Sequence, residues 1–449
     1  MSTHTRISLI HVAIVIAVAI VVRWQYVQIV PTPILTADSY GYITIGNQII
    51  DHPTLSTIIN EFRTPIYPMI VGFMLRQFGS LDGVVLLQQI LGIGTVLLVL
   101  LILRSLKVSP WVFVCVGIAV AINPLLFQWE RFIMTESLAI FMVMLFLYFW
   151  IHTYAKPSVI WLIGLTLSGI IMMLVRPATI IIPFIPLLFR MIGRPIREKI
   201  QLGICMAIIL AVPFLYQMGN IVFHGYRGIQ RAADIAQLGN ILLSDMDISK
   251  GASVPFYFTA VTRYRQLNGV PNPFRLIDTI GSDDIYQSTE RMNDLQLFTR
   301  LVLQNNIPAF VKQAVYRYPA SLFNQSAYLQ VIKYIEHLPV EFVALYKYAT
   351  GINLGIVLII LLVPFACVLY YRSRTRIHEA VIVGSIIIAL QTMFHAALIY
   401  EEWSRLNAII IPIATMILAF WITRGIQEIK MLHKNRKLTW KIWQLIFLP

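Results

Sequence analysis

Apolar runs of membrane-crossing length recur along the chain, separated by short polar stretches that hold most of the charge. About 20 apolar residues suffice for a helix to cross a bilayer. On that basis the pattern predicts about ten spans, at roughly 7–29, 82–103, 110–128, 135–153, 158–175, 177–189, 200–219, 350–371, 377–399 and 406–423. The run at 177–189 is short and holds Pro183 and Pro186, so it is expected to kink or tilt. Residues 36–79 follow another pattern. Tyr42, Ile45, Ile49 and Ile50 recur at helical spacing among polar neighbours, which predicts a short amphipathic helix. Asp38 falls at its start, where a carboxylate suits the helix dipole or a cap. Pro65 to Phe78 is apolar but short, which predicts a segment lying in the membrane interface.

Four regions follow from the pattern: a membrane module over 1–219 with interfacial helices at 36–79, an extracytoplasmic domain over 220–349, C-terminal spans over 350–423, and a tail over 424–449. The domain mixes helical-looking runs at 229–243, 285–304, 308–318 and 322–336 with a Gly/Pro/Asn patch at 268–273. The tail is basic, with Trp440 and Trp443 interleaved, and reads as a cytoplasmic amphipathic helix.

Composition fixes the class. Of the 449 residues 58% are hydrophobic and 12% charged, and the mean hydropathy is +0.74, so the fold expected is an all-α polytopic membrane protein. The net charge of +14 fits a positive-inside bias and anionic headgroups. No basic patch stands on a soluble domain, which argues against nucleic acid as a partner. With the N-terminus inside, 17 lysines and arginines fall in inner segments and 6 in short outer ones, which sets the orientation. Eighteen of the 21 acidic residues then lie outside, eight of them in the short outer loops at helix ends. A charge-coupled transporter is expected to keep some at mid-membrane. Cys115, Cys205 and Cys367 fall in apolar spans and read as core residues. The first apolar run has no small-residue cleavage site and is expected to stay as a helix. The nine histidines have no metal-ligand spacing, so no metal site is expected from them. Nucleotide-binding glycine motifs are absent, which argues against a nucleotide-sugar donor.

The polar motifs come in a fixed order. Asp-Ser-Tyr-Gly-Tyr (38–42) is followed by Arg-Thr-Pro-Ile-Tyr-Pro (63–68), Phe-Gly (78–79), Glu-Arg-Phe-Ile-Met-Thr-Glu-Ser-Leu (130–138) and Val-Arg-Pro (175–177). That order resembles the GT-C superfamily of integral-membrane glycosyltransferases, which includes protein O-mannosyltransferases and lipid A aminoarabinose transferases. The resemblance covers roughly residues 7–190, with a weaker echo at 401–412.

It implies a sugar donor linked to polyprenyl phosphate, used at the extracytoplasmic face; the size of the chain suggests a cell (inner) membrane. The acceptor would be a glycan, lipid or protein. Asp38 matches the family's catalytic carboxylate, a base for the attacking hydroxyl. Many relatives carry two adjacent acids there; here Ser39 follows, so a metal site built on the pair lacks one ligand. Glu136 matches the second acidic position, where it would orient the acceptor or help hold a divalent cation. Arg63, Arg176 and Arg405 are the candidates for the donor phosphate, since a guanidinium fork binds two oxygens. Tyr40, Tyr42 and Tyr67 are candidates to line the substrate groove, as are Glu130 and Arg131, whose alternative is a pair with each other. Two alternatives remain: a polymerase or ligase of the O-antigen type using pyrophosphate-linked glycans, and a non-enzymatic lipid or solute transporter.

Overall fold

A computed structural model describes residues 9–153, 158–242, 244–266, 276, 288–323, 339–373, 375–398 and 407–434. These residues are overwhelmingly helical, and among them no strand occurs beyond one isolated bridge between Ile34 and Phe132. Among the described residues five helices are long and apolar enough to cross a bilayer. They are α1 (Leu9–Ile29), α4 (Asp82–Ser105), α6 (Glu136–Thr153), α8 (Ile196–His224) and α14, whose described span is Arg376–Ala397. A sixth crossing is a bent pair: α5 (Pro110–Ala121) and Pro124–Glu130 meet at 48°. The break sits at Asn123, whose side chain caps the second piece ahead of Pro124. The other expected spans fall on shorter or broken helices, α7 (Val159–Val175) among them, or partly outside the described residues, so five or six crossings among the described residues meet that test.

Hydrogen bonds between helix ends show how the helices run. Gln88, early in α4, donates to the carbonyls of Glu130 and Phe132, just before α6. At the far end Ser105 of α4 meets His152 of α6 at 3.3 Å. The two helices are therefore parallel and pack on each other, and α5, which follows α4 in the chain, leads back. Arg23 of α1, Tyr216 of α8 and Gln391 of α14 all make contacts at the Gln88 end. This end carries Asp38, Glu61, Glu130 and Glu136; the turns at the other hold Lys107, Arg190, Arg194 and Arg376, with Glu198 and Glu379 among them.

The stretch between α1 and α4 forms two helices, α2 (Ala37–Asp51) and α3 (Ile66–Phe78). Tyr42, Ile45 and Ile49 are the buried face of α2, as their spacing requires. Thr36, not Asp38, is the N-cap; Thr36 and Ser39 bond reciprocally, and Asp38 is the second helical residue. The helices cross in backbone contact at Gly46 and Gly72. A Cβ on Gly46 would strike the Pro68 carbonyl and the Gly72 amide, and neither can swing aside. We expect Gly46→Leu to drive α2 and α3 apart and lower the apparent Tm in detergent, at a cost of at least about 1–3 kcal/mol. An unchanged Tm would contradict the close crossing.

A second core, apart from the membrane one, gathers Tyr226, Ile235, Tyr257, Met292 and Phe298. It joins α9 (Arg231–Leu242), α10 (Pro255–Gln266) and α11 (Thr289–Asn305), followed in the chain by α12 (Ile307–Phe323), within the region expected to be a separate domain. The run expected at 322–336 lies almost wholly outside the described residues. The expected boundary at 349 falls inside α13 (Val340–Leu361), whose Phe342 and Tyr346 pack into the larger core.

Asp234 in this second core accepts hydrogen bonds from Tyr226 and Gln296. Burial outweighs them and pushes its carboxyl up to about 6 from the ordinary 3.8. The folded protein therefore holds this proton better than the unfolded chain does. The stabilisation is complete below pH 3.8 and is lost as pH rises to about 6. We expect Asp234→Asn to flatten that segment of a Tm-against-pH curve; a wild-type slope kept by the variant would contradict it.

Candidate active site

Local chemistry places Asp38. The Thr36–Ser39 cap fixes the start of α2, and the Ser39 hydroxyl donates to the Ile133 carbonyl at 3.0 Å. Ile34 and Phe132 bridge just upstream, so the entry to α2 is stitched onto the loop before α6. Asp38 then points at Arg63, with Nη2 to Oδ1 at 2.6 Å. The Asp38 side chain keeps 33% of its surface exposed and that of Arg63 16%, so this pair is reachable.

Arg63 is held from behind. The Asn60 side chain accepts from the Phe62 and Arg63 amides, and Tyr216 of α8 bonds both the amide and the carbonyl of Asn60. Glu61 of the same loop pairs with Arg231 of α9 at 2.7 Å, which ties the loop to the second core. The Arg63 guanidinium also sits 4.9 Å from the centre of the Tyr42 ring.

Glu136 is the first residue of α6, fully buried, and pairs with Arg176 at 2.9 Å. Arg176 ends α7 in extended backbone before Pro177, so the helix stops and the side chain turns back to α6. It also approaches the Thr135 hydroxyl at 3.4 Å. Two predicted acids are thus each paired with a predicted phosphate arginine. Tyr67 lies between the pairs: its ring meets Tyr42 edge-on at 4.9 Å, and the Glu136 charge acts on its hydroxyl. Burial pushes the Tyr67 phenol far above its ordinary range, so it stays a neutral donor, to Gln88 at 2.8 Å.

Of the three tyrosines expected at a groove, Tyr40 is exposed, while Tyr42 and Tyr67 are packed beneath. Glu130 does not pair with Arg131. It pairs with Arg23 of α1 at 2.7 Å, both side chains buried. The approach depends on Gly92, since a Cβ there would overlap the Glu130 carboxylate. Arg131 is also buried, and its Nε and Nη2 have no hydrogen-bond partner among the described residues. Arg405 lies outside the described residues.

Several residues here were not singled out by the sequence. Arg23 and Gln88 are isolated polar residues in apolar helices, a signal in itself. His395, which looks isolated in the sequence, sits fully buried between Gln391 of its own helix and Asn407, at 2.8 and 2.9 Å. Gln391 also donates to the Ala178 carbonyl at 2.7 Å, which fixes the turn after Arg176. Only the spacing of Gln391 and His395, one turn apart on an apolar helix, hints at this. Among the described residues no three Asp, Glu, His or Cys side chains converge on a point.

Buried arginine–carboxylate pairs at one end of a helical bundle, beside a half-exposed Asp–Arg pair, suit a reaction of an anionic substrate. A family comparison narrows this further. Residues 80–186 match the family model of dolichyl-phosphate-mannose-protein mannosyltransferase. This is a GT-C family, in agreement with the resemblance carried by the motifs, and it supports a membrane glycosyltransferase. The matched stretch contains Gln88, Glu130, Arg131, Glu136 and Arg176; Asp38, Arg63 and Arg405 lie beyond it. No curated protein matches the chain.

Proposed function

We propose that the chain transfers a sugar from a polyprenyl-phosphate carrier to an acceptor hydroxyl, with inversion at the anomeric carbon, on the extracytoplasmic face. The observation that carries it is the Asp38–Arg63 pair: a carboxylate and a guanidinium 2.6 Å apart and both reachable. The excess of lysine and arginine at the opposite end of the bundle supports the outward placement.

In this mechanism the acceptor hydroxyl loses its proton to Asp38 as its oxygen attacks the anomeric carbon. The bond from that carbon to the carrier phosphate breaks, and the phosphate leaves with an added negative charge. Arginines suit that charge, being always protonated and bidentate. Arg63 therefore has two anionic partners, Asp38 at rest and the donor phosphate when bound. A phosphate that draws Arg63 away leaves Asp38 the stronger base, so base activation follows donor binding. Arg176, held by Glu136, is the second phosphate arginine and Arg405 the third. The unused donors of Arg131 suit a sugar or phosphate oxygen. Tyr40 lines the way in, and Glu136 orients the acceptor side through its neighbours. The family description makes mannose the first sugar to try.

The test is turnover by purified protein of a labelled mannosyl polyprenyl monophosphate, followed through both products. Free polyprenyl phosphate and labelled acceptor are expected in equal amounts. Turnover of pyrophosphate-linked glycans alone would favour a polymerase or ligase. Labelled lipid or sugar crossing liposomes without covalent transfer would favour a transporter.

A further inference from the structure

Residues 60–64 carry Arg63 and form neither helix nor strand. Such a loop has no regular ladder of bonds, so outside partners must hold its backbone and side chains in place. The start of α9 supplies several. Arg231 is the first residue of α9, and its amide, which has no partner within the helix, donates to the Glu61 carbonyl at 2.9 Å. The Arg231 guanidinium is buried, pairs with the Glu61 carboxylate at 2.7 Å and donates to the Thr289 hydroxyl of α11 at 2.8 Å. It also lies 4.5 Å from the centre of the Phe62 ring. One residue earlier, Gln230 donates to the Thr64 hydroxyl at 3.3 Å. Glu61, Phe62 and Thr64 are thus each held by two adjacent residues at the edge of the second core, and Arg63 stands among them.

We propose that Arg231 is a positioning residue: through Glu61 and Phe62 the second core sets where Arg63 stands, and with it the affinity of the site for a polyprenyl phosphate. The inference rests on the reading of Arg63 as a phosphate arginine. Arginine suits this task better than lysine. Its planar fork meets Glu61 and Thr289 and lies over Phe62 at once, whereas an ammonium would keep the charge and lose the stack. The pair is shielded from water, with the Arg231 side chain 1% exposed and that of Glu61 9%. Apolar residues of similar size in place of such a pair often leave stability unchanged, so its contribution here is to geometry. A reacting group displaced by about 1 Å can lose about 10²-fold in rate, so a loop freed at Glu61 is felt at the phosphate. Tyr216 holds Asn60 separately, so loss of Arg231 loosens the loop without releasing it.

Two readings on full-length protein in detergent test this. One is the Kd of a short-chain polyprenyl phosphate. The other is hydrogen exchange at the Phe62 and Arg63 amides, which the Asn60 side chain binds. Glu61→Leu with Arg231→Met replaces the pair by apolar side chains and should leave Tm near wild type. We expect this double variant to bind the phosphate about tenfold more weakly or worse and to exchange both amides about tenfold faster or more. Arg231→Lys keeps the charge and should give intermediate values; should the double variant not fold, the lysine variant decides on the same two readings. A merely structural pair would move Tm and leave the affinity of the folded molecule unchanged. Wild-type affinity in a folded variant would overturn the proposal, as would weaker binding without faster exchange. Wild-type protein that binds no polyprenyl phosphate would overturn the donor reading instead, and exchange at Phe62 and Arg63 would still decide whether Arg231 holds the loop.

Discussion

Asp38→Asn is expected to lower kcat by about 10²–10⁴-fold, the range for a lost general base, while donor binding and Tm stay near wild type. The reason is geometric. Asparagine keeps an oxygen that can accept from Arg63, so the loop and the start of α2 hold their places. The pair is partly exposed, and such pairs contribute about 0–1 kcal/mol to stability, so the fold should hardly notice. Removal of the negative charge also frees Arg63, so donor affinity should be unchanged or slightly higher. Initial rates and donor binding on the same preparation check this. A variant that turns over as fast as wild type would remove Asp38 from the chemistry.

The second large effect concerns the buried pair. Arg176→Met leaves Glu136 with its charge uncompensated in the interior, and breaking such a pair costs about 3–5 kcal/mol. We therefore expect a marked fall in Tm together with loss of activity, and activity alone could not tell support from catalysis. Adding Glu136→Gln to Arg176→Met removes the stranded charge and should restore most of the Tm. If Arg176 binds the donor phosphate, the double variant stays inactive, with losses of at least about 10²-fold for one missing oxyanion contact. Recovery of activity along with Tm would make the pair purely structural.

Much of this site could be seen in the chain before its coordinates. The α2 helix follows from Tyr42, Ile45 and Ile49, because one buried face imposes a helical repeat. Asp38, Arg63, Glu136 and Arg176 could be placed at one end because each adjoins the end of an apolar run. Their pairing could not be seen, since ion pairs between distant segments leave no periodic trace. Glu130 shows this most clearly: its partner is Arg23, 107 residues away, and not its neighbour Arg131. Buried polar residues such as Gln88, Gln391 and His395 look like interruptions of apolar helices until their partners are known. Hydropathy also registers the apolar run at 110–128 without registering the break at Asn123–Pro124 that bends it. The start of α13 leaves no apolar run of its own, because Phe342 and Tyr346 are buried in a stretch of mixed composition.

A structure of the protein with a short-chain polyprenyl-monophosphate sugar measures the distance from phosphorus to each guanidinium. The account predicts bidentate contacts to Arg63 and Arg176, with donor–acceptor distances of about 2.7–2.9 Å, and Asp38 released from Arg63 beside the anomeric carbon. A phosphate bound beyond hydrogen-bond reach of both arginines, with the Asp38–Arg63 pair intact, would contradict it.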